Sequence, residues 1–253
     1  MNLPSSTKNS LGAMRSTMTC LLTGCCLVFA SGCNLGGQQH NVSGSQAYQS
    51  GQYTQAINQF QQALQANPRD SNAYYNLAAS YYSLGKQSKN SQWLQQAEQL
   101  YRQSISLNDQ HVDAHRGLSA LLIETGREKF AFDLLNDWKA RYPNSAQPTI
   151  ELARVYQEYG DNRRATDLLA DALRIDGGNV RALKAMGHVR EVQGQTALAL
   201  DNYLRALQIE PQQAEVVQRV AALQSRLAQA GATNVNNGTV PARYGSANPY
   251  LPR

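Results

Sequence analysis

Apolar residues recur along this chain at the spacing of a buried helix face. Tyr74, Leu77, Ala78 and Tyr81 stand at i, i+3, i+4 and i+7, and a second stripe follows in Ala97, Tyr101, Ser104 and Ile105. Each stripe predicts an amphipathic helix with one face to bury. Pro68, Pro143 and Pro211 stop helices and turn the chain. A Gly four residues past the first stripe, Gly85, is read as a left-handed helix end, which only Gly enters without a Cβ penalty.

The pattern repeats. Gly51, Gly85, Gly126, Gly160 and Gly194 are 34, 41, 34 and 34 residues apart, and Ala56, Ala97, Ala131, Ala165 and Ala199 are 41, 34, 34 and 34 apart. The two series place one seven-residue insertion, SKNSQWL near 88–94, between Gly85 and Ala97. Large residues recur at Phe60, Tyr101, Leu135, Leu169 and Tyr203, and small ones at Ala63, Ser104, Ala172 and Ala206. Small residues also recur on the first helices, at Ala78, Ser119, Ala153 and Gly187, where they let paired helices approach closely. Each unit is therefore a helical hairpin. Two helices alone cannot bury their stripes, but a stack of hairpins can.

Five units beginning near 37, 71, 112, 146 and 180 are similar to the tetratricopeptide repeat (TPR) family over residues 37–213. The motif is clearest in Leu152, Ala153, Tyr156, Gly160, Ala165, Leu169 and Ala172, and again in Gly187, Gly194, Ala199, Tyr203, Ala206 and Pro211. The resemblance implies an all-α fold, a right-handed superhelix of stacked helical hairpins (a TPR α-solenoid), over residues 44–230. In the first unit Ser43 and Ala47 stand where large apolar residues are expected, which reads as a frayed terminal cap. Trp138 replaces the small residue of the third unit while Thr149 replaces a bulky one, so the large side chain is expected to fill its neighbour's vacancy. The insertion is two helical turns long, which lengthens the second helix without rotating its buried face and carries Trp93 outward. Residues 214–229 read as a capping helix ended by Gly231, and residues 231–253, rich in Asn, Gly and Pro, as a disordered tail.

The amino terminus has a different character. Lys8 and Arg15 precede a short, mostly apolar run over 16–30, the layout of a secretory leader. Ala30, Ser31, Gly32 and Cys33 resemble a bacterial lipobox, which implies that residues 1–32 are a signal peptide and that Cys33 is lipidated. Cys25, in Leu22-Thr23-Gly24-Cys25, is the alternative, set closer to the basic residues. Several acyl chains would hold the protein on a membrane. Asn34, rather than Asp, after the Cys points by resemblance to the periplasmic face of the outer membrane. Residues 33–43, Gly- and amide-rich, read as a flexible tether.

Composition narrows the chemistry. Only 16% of the 253 residues are charged while Gln alone supplies 27, and the net charge of +5 leans on Lys8, Arg15, Arg243 and Arg253 at the two ends. With no basic patch in the body, a nucleic-acid partner is not expected. All four Cys fall at or before residue 33, so the body has no disulfide framework or Cys-based metal site. His111 and His115 at i, i+4, with Asp113 between them, have a metal-like spacing, but the two positions read as a turn and a packing site. His188 and Glu191 lie one turn apart, which reads as a solvated face. No catalytic constellation, metal or cofactor is expected.

In a stack of this type the first helices line a concave groove. Stepping from the buried stripes, the lining residues are Asn72, Tyr75, Asn76 and Tyr82, then Arg116, Ile123 and Glu124, then Ile150, Arg154 and Glu158, and finally Arg181, Lys184 and His188. Such Tyr, Asn and basic side chains suit an extended peptide or helix of a protein partner. The carboxylate clamp of cytosolic chaperone adaptors is not expected, because Asn76 is followed by Asp113 and Gly117 where that clamp has basic residues. The resemblance implies a lipid-anchored envelope scaffold that assists assembly of a pilus, secretion or cell-wall complex. The alternative is a glycan-binding or polysaccharide-export lipoprotein.

Overall fold

The computed structural model describes residues 36–235, and among them are eleven α-helices and no strand. They are α1 (36–49), α2 (Tyr53–Ala66), α3 (Ser71–Ser88), α4 (Ser91–Leu107), α5 (Val112–Glu124), α6 (Glu128–Arg141), α7 (Ala146–Glu158), α8 (Asn162–Ile175), α9 (Val180–Val192), α10 (Thr196–Ile209) and α11 (Ala214–Val235). The fold is an all-α helical repeat. It divides within α5 into two compact units, the first ending at Leu121 and the second starting at Leu122.

Equivalent positions have equivalent surroundings. Ala56, Ala97, Ala131, Ala165 and Ala199 are all fully buried, and Phe60, Tyr101, Leu135, Leu169 and Tyr203 are buried beside them. In the first unit α2 packs on α3 and α3 on α4, closing on Phe60, Leu77, Ala78 and Tyr101. In the second, α7, α8 and α9 enclose Ile150, Ala153, Leu169 and Met186, and α10 and α11 enclose Tyr203, Leu207, Val216, Val220 and Leu223. Trp138 and Thr149 are both fully buried in this unit, where α6 packs on α7. The bulk of one thus accompanies the small volume of the other.

The turns carry the expected chemistry at four of five places. Gly51, Gly126, Gly160 and Gly194 have φ of 72–74°, the left-handed conformation. Gly85 does not: it lies inside α3, buried, where an added Cβ would come within 2.9 Å of Leu94 Cδ2. The left-handed residue is instead Lys89, at φ 52°. The insertion therefore lengthens both helices of its hairpin, to 18 residues in α3 and 17 in α4, against 13 and 14 in α7 and α8. Asp70, Asn90, Ser145, Asp161 and Asn179 cap their helices by accepting hydrogen bonds from first-turn N–H groups.

Both ends of the repeat region differ from expectation. The first unit's opening helix is complete, and from residue 36 it takes in most of the stretch that composition suggested was a tether. Two of its glycines act as points of approach: Gly37 lies against Ala66, and a Cβ at Gly44 would come within 2.7 Å of the Phe60 ring. Ala47 is buried, so this is a packed hairpin rather than a frayed one. At the other end α11 runs through Gly231 to Val235, where a helix end was expected. Gly there lowers helix propensity by about 1 kcal/mol but does not forbid the helix. The leader with Cys25 and Cys33, and residues 236–253 of the tail, lie outside the described residues.

Candidate partner-binding surface

In the first unit the exposed side of α3 meets α1 and α2 at a cleft of about 160 Å³ lined by Ser45, Tyr48, Gln49, Phe60, Tyr75 and Asn76. None of these is charged. Tyr75 is half-buried, its ring 5.2 Å from that of His111 and 6.1 Å from that of Tyr101. Burial raises the pKa of the Tyr75 phenol and lifts that of Tyr101 further, so both hydroxyls stay protonated at neutral pH. Asn76 joins this cleft, while Asn72 is exposed near the start of α3. Tyr82 carries the Lys86 ammonium 5.2 Å from its ring centroid. Trp93, carried outward by the insertion, stacks on Tyr81 at 5.3 Å and keeps 37% of its surface exposed. Arg116 is ion-paired with Asp113 at 3.0 Å.

In the second unit the expected lining residues separate into different roles. Ile123 is half-buried, and Glu124 exposed. Ile150 is not a lining residue at all: only 5% exposed, it belongs to the α7–α9 core. An apolar side chain at the border of the stripe is drawn into the core when a neighbouring helix covers it. Arg154 and Arg181 are engaged by Glu151, a fully buried carboxylate on α7. Arg154 Nε donates to Glu151 Oε2 at 3.1 Å and its Nη1 to Glu158, while Arg181 Nη2 donates to Glu151 and its Nη1 to Gln147 Oε1 at 2.9 Å. These two guanidiniums neutralise a buried anion, a constraint that a free groove residue would not have.

Lys184 and His188, one turn apart on α9, line a second cleft of about 240 Å³ together with Gln157, Tyr203, Val216 and Arg219. Gln157 lies within hydrogen-bond distance of His188 Nδ1, at 3.3 Å. Behind the cleft Glu191 accepts from the Tyr203 hydroxyl at 3.4 Å and from Arg219 at 3.3 Å, with Arg226 at 3.5 Å. Burial pushes the Tyr203 phenol up to about 12, which keeps it a donor.

The histidines have structural tasks. His111 Nδ1 accepts the backbone N–H of Ala114 at 3.3 Å, so this residue caps α5. His115 is buried, and its Nε2–H donates to the Asp109 carbonyl at 3.0 Å. Glu191 is occupied by two arginines and a tyrosine, which leaves it no role as a partner base for His188. Sequence inspection missed Glu151, took Glu191 for part of a solvated face, and met Gly117 only as a position without a clamp residue. For Glu151 a signal was present in Arg154 three residues on and in Arg181 at the start of the next unit's first helix. For Gly117 there was none, because its role is to leave room for the Tyr101 ring, which a Cβ would approach within 2.5 Å.

Residues 44–85 match the TPR repeat family. The crystal structure of a thermophilic TPR protein of Thermus thermophilus has the same fold, with a TM-score of 0.57 at 23% identity, covering 74% of this chain and 98% of that one. A human protein O-mannosyl-transferase is 25% identical over 145 residues, which are 57% of this chain and 16% of that protein. A TPR repeat-containing protein of Methanocaldococcus jannaschii is 24% identical over 148 residues, 58% of this chain and 26% of that protein. The chain thus spans about a quarter or less of the length of either sequence relative.

Proposed function

We propose that this chain is a non-enzymatic adaptor of the cell envelope, anchored through a lipid on Cys33, that recruits a protein partner with the exposed faces of its first helices. The observation that carries this is the division of labour within each unit. One face of α3 and of α9 is committed to the core, while the other lines a cleft, with half-buried Tyr75 and Asn76 in the first unit and half-buried Lys184 beside His188 in the second. Half-buried aromatic and amide groups supply contact area at low entropy and read a peptide backbone. Assembly of an envelope complex is the setting that such an anchored adaptor serves.

Photo-crosslinkable residues introduced separately at Asn76 and Lys184 should each yield protein adducts in native membranes, and one at the exposed Phe130 on a second helix should not. Equal capture at all three positions would overturn the reading. Mass spectrometry of the mature amino terminus checks the anchor, and a Cys33→Ser chain should leave the membrane fraction.

A second reading, glycan binding, is favoured by the uncharged, Tyr-lined cleft of the first unit. Binding of neutral oligosaccharides that is lost in Tyr48→Ala, with no protein adducts, would establish it instead.

A further inference from the structure

We propose that the cleft between α9 and α11 is a socket for an acidic side chain, Asp or Glu, of the partner's bound segment. The inference rests on the adaptor reading above and names what this part of the surface selects.

Charge carries it. Arg219 is held between Glu215 and Glu191, each 3.3 Å away, and Arg226 also approaches Glu191. Those charges compensate one another. Lys184 makes no hydrogen bond or ion pair among the described residues, and it lines the same cleft. The cleft therefore presents the Lys184 ammonium beside the His188 imidazole and the Arg219–Glu215 pair, a lining with one cation more than it has anions, over a floor of Ala185 and Val216. A carboxylate entering here gains Lys184 as its counter-ion, because the acid that lines the cleft, Glu215, is paired with Arg219 at 3.3 Å, and its methylenes meet the apolar floor.

Size and shape select a side chain over a whole small molecule or a sugar. At about 240 Å³ the cleft is below the ~300–1,000 Å³ range of small-molecule sites. Its aromatic residue, Tyr203, is only 2% exposed and so offers no ring face on which a sugar could stack. The fixed partners of Arg219 also matter: a guanidinium already held in place loses little freedom when a ligand arrives.

The test is selection from a random phage-displayed peptide library on the immobilised full chain, followed by titration of the enriched peptides into the wild type, Lys184→Gln and Lys184→Glu. Because Lys184 has no intramolecular partner, both variants should fold, which circular dichroism verifies. The expected result is enrichment of Asp- or Glu-containing peptides that perturb the amide resonances of Lys184, His188 and Arg219. Their affinity should fall a few-fold in Lys184→Gln and about tenfold in Lys184→Glu, and weaken with added salt.

Enrichment of neutral or basic peptides, or equal affinity for wild type and Lys184→Glu, overturns the socket and leaves the adaptor reading standing. Failure to enrich any peptide overturns both. Capture of the acidic polysaccharide alginate through Lys184, with no acidic peptide selected, overturns the socket in favour of a glycan ligand.

Discussion

Gly187 on α9 faces the ring of Tyr203 on α10 so closely that a Cβ at Gly187 would lie 2.8 Å from Cε1 and 2.9 Å from Cζ. The ring cannot retreat, because Tyr203 is buried and its hydroxyl donates to Glu191. Gly187→Leu should therefore lower stability by ~1–3 kcal/mol through overpacking. Chemical denaturation of the variant checks this, and a loss no larger than that of an exposed substitution such as Gln208→Leu would contradict the packing account.

Glu151 gives a second prediction. Removing its charge leaves Arg154 and Arg181 without their shared anion. Removing one member of a fully buried pair costs ~3–5 kcal/mol, but these guanidiniums keep part of their access to water, so Glu151→Leu should cost less, about 2 kcal/mol. Arg154→Ala should be destabilising too, because it withdraws one of the two cations from a buried carboxylate. An effect of Arg154 variants on partner capture is thus interpretable only beside their melting curves.

His111 makes stability depend on pH. Desolvation lowers its folded pKa below the usual histidine value of 6.5, against the opposing pull of Asp113 and Asp70, while Tyr75 packs on its ring as a neutral phenol. The unfolded chain binds the proton more readily, so stability from this group is complete above pH 6.5 and is lost as pH falls through the folded pKa. Protonated Nδ1 also cannot accept the Ala114 N–H. Wild type should lose more stability than His111→Asn on going from pH 7.5 to 5.5, the variant keeping a side-chain acceptor at the cap. Parallel pH profiles for the two proteins would disprove the assignment.

Lys89 occupies a left-handed conformation at the tip of the α3–α4 hairpin, where the other units have Gly. Lys89→Gly should raise stability by about 0.5–1 kcal/mol by relieving the Cβ strain, partly offset by the greater entropy of Gly in the unfolded chain. A melting temperature below that of the wild type would show that the Lys side chain contributes more than its backbone strain removes.

Much of the fold was legible because a repeat is seen several times over. Ala131, Ala165 and Ala199 each mark the same buried point, and a single misjudged residue does not disturb the period. Errors fell where one side chain's role depends on a partner far along the chain. Gly37 read as part of a flexible stretch because an absent side chain marks both a loose linker and a close helix contact. Gly85 read as a turn because the insertion had moved the turn to Lys89. On the first helices, spacing indicated which faces point outward, but Ile150 lies at the border of the stripe and the neighbouring helices draw it inward. Arg154 and Arg181 also face the outer side, and only the position of Glu151 shows that their charge is already committed.

The seven added residues of the α3–α4 hairpin lie at its tip, away from the positions that repeat in every unit. Growth at that place leaves upstream and downstream contacts untouched, so the molecule gains a projecting spur, surfaced by the Tyr81–Trp93 stack, without altering the interior it inherits. Selection can trim, extend or redecorate such a spur freely, whereas one residue gained or lost in mid-helix would turn a whole buried face away from its neighbour.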